Sequence, residues 1–302
     1  MQVAVTTPLR PAPEEDAAAR ACALRFGLLF APRGNRGLEH VAAGCGAEAF
    51  LVLSARRATL AVPASPTTSR QATARGGAWT EHVWSAGMGL LRMKRALRRV
   101  DPAGGACRFP EPPGLSGPGS PDRPFAPAFE PTEHDPFLEA AGVRPGDAVL
   151  DCTLGLGADA LVAAAAAGPE GRVVGLEASP ALAAWAAEGL ARLAAAPARR
   201  VEVRAGDHAA ALAALPDRSF DVVVFDPMFR HARAEPGGFD AVRLLADPRP
   251  LAPAALARAR RVARRCVVVK DGAPGWDLAR LGLTPLPSAR GAHRYYARLA
   301  AE

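Results

Sequence analysis

Residues 149–160 read "VLDCTLGLGADA", and the parsing of this stretch decides the fold. Ala148–Asp151 has the apolar character of a short buried strand, and Gly155 and Gly157 then permit a tight turn with close backbone approach to a ligand. An Ala-rich helix opens near Asp159 and ends near Gly168, so unpaired N–H groups at its start face whatever the turn holds. A strand, a glycine turn and a helix in this order form the first unit of a parallel sheet.

The same alternation continues downstream. Arg172–Leu176 reads as a strand, and Ser179 and Pro180 then sit as N-cap and first-turn residue of a helix running to about Ala195. Arg200–Arg204 and Asp221–Phe225 follow as strands with an Ala-rich helix between them. A long loop leads to a helix at 252–264 and a strand at Cys266–Lys270, and Leu283–Leu286 with Arg294–Leu299 reads as a closing β-hairpin. These elements predict a seven-stranded, mostly parallel sheet covered on both faces, with ligands at the carboxyl ends of its strands.

Upstream, residues 103–132 are dense in Pro and Gly and read as a flexible linker or long surface loop. They separate a small N-terminal α/β domain, 1–102, from the domain at 133–302. Within the first, 14–29 looks helical, Ala49–Leu53 and Ala58–Val62 look like short strands, and 86–100 looks like a helix with an apolar stripe of Leu90, Met93, Leu97 and Val100. Arg92, Lys94, Arg95, Arg98 and Arg99 occupy that helix's other faces, which suits either a solvated surface or contact with RNA.

Composition narrows the classes. The 302 residues are 49% hydrophobic, enough for two domains, and the longest apolar runs fall far short of a bilayer crossing. The first residues, MQVAVTTPLRPAPEED, carry prolines and acids where a signal peptide has an apolar core. The five cysteines are scattered without a CxxC pair, and the six histidines are equally dispersed, which argues against a disulfide framework or a metal site and fits the cytoplasm. Residues 1–132 hold 16 basic against 10 acidic side chains, whereas 133–302 hold 21 against 20. The excess positive charge therefore lies in the N-terminal part, a possible docking surface for a polyanion.

The strand ends carry the chemistry. Glu177, closing the second strand of the alternation in "VVGLEAS", is placed to reach a ribose diol. Asp207, in "VRAGDHAA", is placed for the edge of an adenine. These two acids and the glycine turn outline an adenosine-containing cofactor. Gly155-Leu-Gly157-Ala-Asp-Ala160 also fits the dinucleotide pattern G-x-G-x-x-A, so a nicotinamide or flavin enzyme is the rival reading. Asp151 at the strand end and Asp159 at the helix start weigh against it, because both would repel a pyrophosphate and suit the cationic end of S-adenosylmethionine. The fourth strand ends in "VVVFDPMFRHAR", residues 222–233. An exocyclic base amine has its lone pair delocalised into the ring, so methylating it requires acceptors for both N–H bonds. Asp226 Oδ and the Pro227 carbonyl suit that task, and Phe229 suits stacking on the base.

Taken together, "LDCTLGLGADALVAA", "VVGLEASP" and "FDVVVFDPMFR" resemble the class I S-adenosylmethionine-dependent methyltransferases. More narrowly they resemble the bacterial small-subunit ribosomal RNA guanine-N2 methyltransferase J family and its relatives of unassigned substrate, over residues 134–300. Weaker echoes lie in "SAGMGLLRMKRAL" and "DPFLEAAGVRPGD". The resemblance implies a Rossmann-like class I methyltransferase fold with S-adenosylmethionine as cofactor and no metal. It implies cofactor contacts at Asp151, Thr153, Gly155, Gly157, Asp159, Glu177 and Asp207, with Ala178 and His208 in the same set, and Asp226 facing both cofactor methyl and target amine. Ala158 and Arg230 depart from the ribosomal enzyme's pattern, which has Arg and Pro there, and Met228 replaces the second proline of the better-known amino-methyltransferase motif. The leading expectation is an N-methyltransferase acting on guanine N2 in structured, rRNA-like RNA. The alternatives are a methyltransferase on a small molecule or protein, a nicotinamide-dependent oxidoreductase, and a catalytically silent RNA-binding protein.

Overall fold

The computed structural model describes residues 1–64, 79–87, 89, 90, 92, 93, 135–227, 240–287 and 293–302. The linker expected at 103–132, most of the helix expected at 86–100, and Met228, Phe229 and Arg230 lie outside the described residues.

Two sheets organise the chain. The first has the order β2-β1-β3-β4-β5, from β1 (Val3–Thr6), β2 (Leu29–Phe30), β3 (Ala49–Leu53), β4 (Ala58–Pro63) and β5 (Trp79–Val83). β1 runs parallel to β2 and β3, and β3, β4 and β5 form an antiparallel meander. Helices α1 (Pro13–Phe26) and α2 (Leu38–Cys45) connect its parallel part. The expected strands at 49 and 58 and the first helix are present. β1, β2, β5 and α2 were not foreseen, because they are short, and β5 carries Thr80, Glu81 and His82 on an edge without apolar alternation.

The second sheet has the order β11-β10-β9-β6-β7-β8. Its strands are β6 (Ala148–Asp151), β7 (Arg172–Glu177), β8 (Val201–Ala205), β9 (Phe220–Phe225), β10 (Ala263–Gly272) and β11 (Arg294–Ala300). All are parallel except β11, which runs antiparallel to β10. Six strands thus form among the described residues, against an expected seven. Leu283–Leu286 does not pair as a strand, and Leu286 N–H makes a single bond to the Tyr296 carbonyl at 2.7 Å, so the expected hairpin is reduced to β11 alone.

Helices α4 (Ala158–Ala167), α5 (Pro180–Arg192), α6 (His208–Ala214), α7 (Asp240–Leu245) and α8 (Pro253–Val262) surround this sheet, some through one another. α3 (Pro136–Ala141) precedes β6, and α9 (Trp276–Arg280) follows β10. Ser179 Oγ accepts from Leu182 N–H at 3.3 Å with Pro180 at the first position, which is the expected N-cap. Val222, Val223, Val224 and Phe225 are all buried, as a central strand covered on both sides requires.

From β6 the chain steps outward to β7 and β8, then returns to place β9 on the other side of β6. The carboxyl ends of β6 and β9 therefore flank the point where strand order reverses, which is where a crevice opens in such sheets. One apolar cluster is shared between the two sheets, and each sheet packs its other face in a cluster of its own. Val5, Leu51 and Leu60 of the first and Leu182, Trp185 and Val224 of the second belong to a single buried cluster. Trp185 Nε1 on α5 donates to the Ala58 carbonyl on β4 at 3.1 Å.

Candidate active site

The site begins at the turn after β6. Asp151 Oδ1 accepts from Thr153 N–H at 3.0 Å, folding the chain back over the strand end. Thr153 Oγ1 in turn accepts from Asp226 N–H at 2.6 Å, tying the end of β6 to the end of β9. Gly155 and Gly157 take φ values of +54° and +83°, the left-handed region that lets the chain turn sharply into α4. Glu177 closes the turn from the neighbouring strand: its Oε2 accepts from Gly155 N–H and its Oε1 from Ser179 N–H, each at 3.0 Å. Burial pushes the Glu177 carboxyl above its ordinary value, partly offset by the backbone N–H groups of Ser179, Gly155 and Ala178.

A cavity of about 530 Å³, including its open mouth, lies over these strand ends. Thr153, Glu177, Ala178, His208, Asp226 and Pro227, all expected at the site, line it. Leu182 and Leu251 add apolar walls, and the His208 ring stands edge-on to Phe225 at 5.6 Å. Asp151, Gly155, Gly157, Asp159 and Asp207 do not line the cavity. Asp151 lies buried beneath it, and Gly155 acts through its bond to Glu177. Asp207 Oδ1 caps α6, accepting from Ala209 and Ala210 N–H, while its Oδ2 takes Arg249 at 2.6 Å. Arg249 also holds Asp247 at 2.7 Å, and both residues line the mouth. Nothing in the sequence pattern marks this pair, since they sit in a loop between α7 and α8.

Asp159 faces a different group. Its Oδ1 accepts from Arg92 at 2.5 Å and its Oδ2 from Lys270 Nζ at 2.7 Å. Lys270 Nζ also reaches Asp226 Oδ2 at 2.6 Å. Arg92 completes the cluster with a two-pronged bond to Asp135 at 2.7 and 3.0 Å. The sheet register explains the Lys270–Asp226 contact, because Phe225 of β9 pairs with Val269 of β10 and the next residue on each strand is one of the two. Burial disfavours the Lys270 ammonium, but the Asp226 and Asp159 carboxylates outweigh it and hold the amine protonated beyond its ordinary range. Asp159 is held below its ordinary range by Lys270 and Arg92, which overcome its burial. Asp151 has no cation bonded to it, and burial, with the Asp159 and Asp226 carboxylates, pushes it up to about 7.

Among the described residues no group of three or more His, Cys, Asp or Glu side chains is arranged to hold a metal ion. No helix of the described chain is long and apolar enough to cross a membrane.

A doubly wound sheet with a glycine turn, an acid closing the second strand and a cavity over the reversal point defines an enzyme class that holds an adenosine-containing cofactor. The chain belongs to the family described as "Putative SAM-dependent methyltransferase", which matches residues 128–280. It is 43% identical over 147 residues to the Bacillus subtilis (strain 168) protein described as "Uncharacterized protein YpiP". That match covers 46% of this chain and 56% of the relative, so the chain spans little more than half of the curated protein's length. Its fold is similar to that of the SAM-dependent methyltransferase NGO1261 from Neisseria gonorrhoeae, with a TM-score of 0.56 at 17% identity over 98% of this chain and 95% of the other. Family membership decides between the two cofactor classes the glycine pattern left open, in favour of S-adenosylmethionine. The residues lining the cavity fit it: Glu177 offers a carboxylate to a diol, Leu182 and Leu251 offer apolar walls to a purine, and Asp226 suits a cationic sulfonium.

Proposed function

We propose that the protein is an S-adenosylmethionine-dependent N-methyltransferase whose acceptor is an exocyclic base amine, guanine N2 in structured RNA. One observation carries the reading: Asp226 and Pro227 end β9 at the wall of the same cavity that Glu177 lines, so an amine acceptor and a diol acceptor face one space. Asp226 Oδ2 is held by Lys270, and Oδ1 has no hydrogen-bond partner among the described residues. Oδ1 and the Pro227 carbonyl then accept the two N–H bonds of the amine. With both hydrogens held, the nitrogen lone pair is turned out of conjugation with the ring and toward the cavity. S-adenosylmethionine, when bound, supplies a methyl group activated by its sulfonium. As the nitrogen took the methyl, the bond from that carbon to sulfur would break and leave S-adenosylhomocysteine, and the one proton shed by the nitrogen would go to Asp226 Oδ1 and on to solvent. Phe229, following on the same segment, is proposed to stack on the base. The 16 basic against 10 acidic side chains in residues 1–132 support a polyanionic substrate over a small neutral one, with the N-terminal part as its docking surface.

The test uses methyl-labelled S-adenosylmethionine and RNA extracted from cells lacking the gene and from their parent. Label is expected to enter RNA only from the deletion cells and to appear, after digestion, as N2-methylguanosine. Label that enters protein or small metabolites but no RNA would overturn the assignment.

A further inference from the structure

The acceptor side chain is held directly by Lys270 on β10, and Lys270 is linked through Asp159 to Arg92, which precedes the second sheet. Lys270 Nζ grips Asp226 Oδ2 at 2.6 Å and Asp159 Oδ2 at 2.7 Å, and Asp159 Oδ1 is gripped by Arg92 at 2.5 Å. Arg92 is itself locked by two bonds to Asp135, whose Oδ1 also caps α3 through Phe137 and Leu138 N–H. The side chains of Arg92, Asp135, Asp159 and Lys270 are exposed by only 19%, 8%, 6% and 11%, so water competes little for these bonds. A second observation fixes the segment that carries Arg92. A Cβ on Gly89 would lie 2.8 Å from both Ala158 Cα and Cβ, so Gly89, three residues before Arg92, presses against the first residue of α4 at backbone distance. Met93, which follows Arg92, is fully buried.

We propose that Arg92 and Lys270 are positioning residues, joined through Asp159, that fix the Asp226 carboxylate with one oxygen toward the cavity, and that the seating of Gly89 and Arg92 on α4 thereby completes the site. The proposal rests on the reading of Asp226 as the amine acceptor. A lysine at the link suits the geometry, because a compact ammonium reaches two carboxylates on different elements without the planar fork of arginine. The arginine at the outer position suits the two-pronged grip on Asp135.

The experiment takes the full-length protein, measures S-adenosylhomocysteine binding by calorimetry, and follows methyl transfer to RNA from cells lacking the gene. Lys270→Met is expected to lower kcat about 100-fold, the cost of a misplaced reacting group. Its KM for RNA and its Kd for S-adenosylhomocysteine should stay within about threefold, since neither depends on the carboxylate's orientation. Lys270→Arg should recover part of the rate. Arg92→Met, and Gly89→Ala, which lifts the segment while leaving every charge in place, should each lower kcat about tenfold. Arg92→Met combined with Lys270→Met should be no slower than Lys270→Met alone, because both act on one carboxylate. An unchanged kcat in Lys270→Met, or two losses that multiply, overturns the relay. Crystal structures of Lys270→Met and Arg92→Met with S-adenosylhomocysteine read the Asp226 orientation without an assay: a turned carboxylate supports the relay and an unmoved one overturns it. RNA left unlabelled by the wild-type protein overturns the proposed acceptor, and the two structures still decide the relay. Should Lys270→Met fail to fold, Arg92→Met and Gly89→Ala carry the same tests.

Discussion

Asp226 and Asp151 lie one strand apart, yet their surroundings assign them different work. Asp226 has Lys270 on one oxygen and the cavity beside it, whereas Asp151 has a single N–H donor and lies beneath the floor. Asp226→Asn keeps the shape but weakens the acceptor and loses the ion pair with Lys270. Methyl transfer is expected to fall about 100-fold or more, with S-adenosylhomocysteine affinity changed by less than about fivefold, as expected of a group used mainly in the transition state. Glu177→Ala should do the reverse, weakening cofactor binding at least tenfold by loss of buried hydrogen bonds, each worth about 1–3 kcal/mol when left unmade. Calorimetric titration of the two variants, set beside their rates, checks the division. Asp151 makes a prediction about pH. Its carboxyl moves from an ordinary value of 3.8 to about 7 in the folded chain through burial and its carboxylate neighbours. Below pH 3.8 both states hold the proton and the group contributes nothing. Between the two values the unfolded chain releases the proton while the folded chain keeps it, so stability falls as pH rises, and above about 7 the loss is complete. Asp151→Asn removes this loss while its Oδ1 still accepts from Thr153 N–H. Its melting temperature relative to wild type should therefore rise steadily from pH 4 to pH 8, by the equivalent of on the order of 2–4 kcal/mol. Thermal melts of both proteins across that range test it, and a difference independent of pH would show that Asp151 is not the strained carboxyl.

At the scale of elements, α5 joins the two sheets, and its inner face shows how closely. A Cβ on Gly189 would lie 1.9 Å from Trp84 Cδ2 and 2.1 Å from its Cγ, so the indole that follows β5 lies directly on the helix backbone. The clash involves the root of the ring, which cannot swing aside as the tip of a flexible chain would. Gly189→Ala is expected to destabilise the protein by about 1–3 kcal/mol, despite alanine's better helix propensity, because overpacking outweighs the propensity gain of about 1 kcal/mol. A guanidinium titration against wild type measures it, and a stabilised variant would mean that the indole is free to move. The elements differ in how legible they were from sequence. β6, β7, β9 and β10 stand out as apolar runs with charges confined to their ends, closed by Asp, Glu, Asp or a Lys-Asp pair, since the middle of a strand buried on both faces has no place for a charge. β5 and β2 are not legible, because a short edge strand is held by its neighbour's hydrogen bonds rather than by its own pattern. The cavity residues near the strand ends were legible for the same reason as the strands. Arg249 and Asp247 were not, because their place depends on where a loop crosses the mouth. Asp159 was legible as an acid at a helix start, but its partners are long-range. Lys270 left one signal: it is one of two lysines in a chain with 37 basic residues, and it ends a buried strand, where a compact cation rather than a fork is required.

Across the whole molecule, the Pro/Gly-rich stretch suggests two separable parts, whereas the packing argues that they unfold together. A division into domains predicts independent cores, each with its own apolar cluster. Here Phe26 on α1, Leu60 on β4 and Leu182, Trp185 and Leu190 on α5 belong to one cluster, so each sheet buries one face against the other's part, while its second face keeps a cluster of its own. Polar bonds follow the same seam: Arg25 donates to the Val203 carbonyl on β8 at 2.9 Å, and Arg192 to the Ser54 carbonyl at 2.9 Å. Separating the parts would expose the fully buried side of Trp185 and leave the Ala58 carbonyl without its indole donor. A fully buried aromatic that loses its packing costs about 3–5 kcal/mol, a large share of a typical folding free energy of about 5–15 kcal/mol. A partly unfolded state with one sheet intact is therefore expected to stay unpopulated. In guanidinium chloride, tryptophan emission, which sums Trp84 and Trp185 at the seam with Trp79 and Trp276, and far-ultraviolet circular dichroism, which senses both sheets and their helices, should trace the same single transition. Gly189→Ala should move the two curves to lower denaturant by the same amount. Two separated transitions, or an emission change that precedes the loss of ellipticity, would mean that the shared cluster does not couple the sheets. In that case the relay from Arg92 to Asp226 would have to hold across an interface that opens on its own.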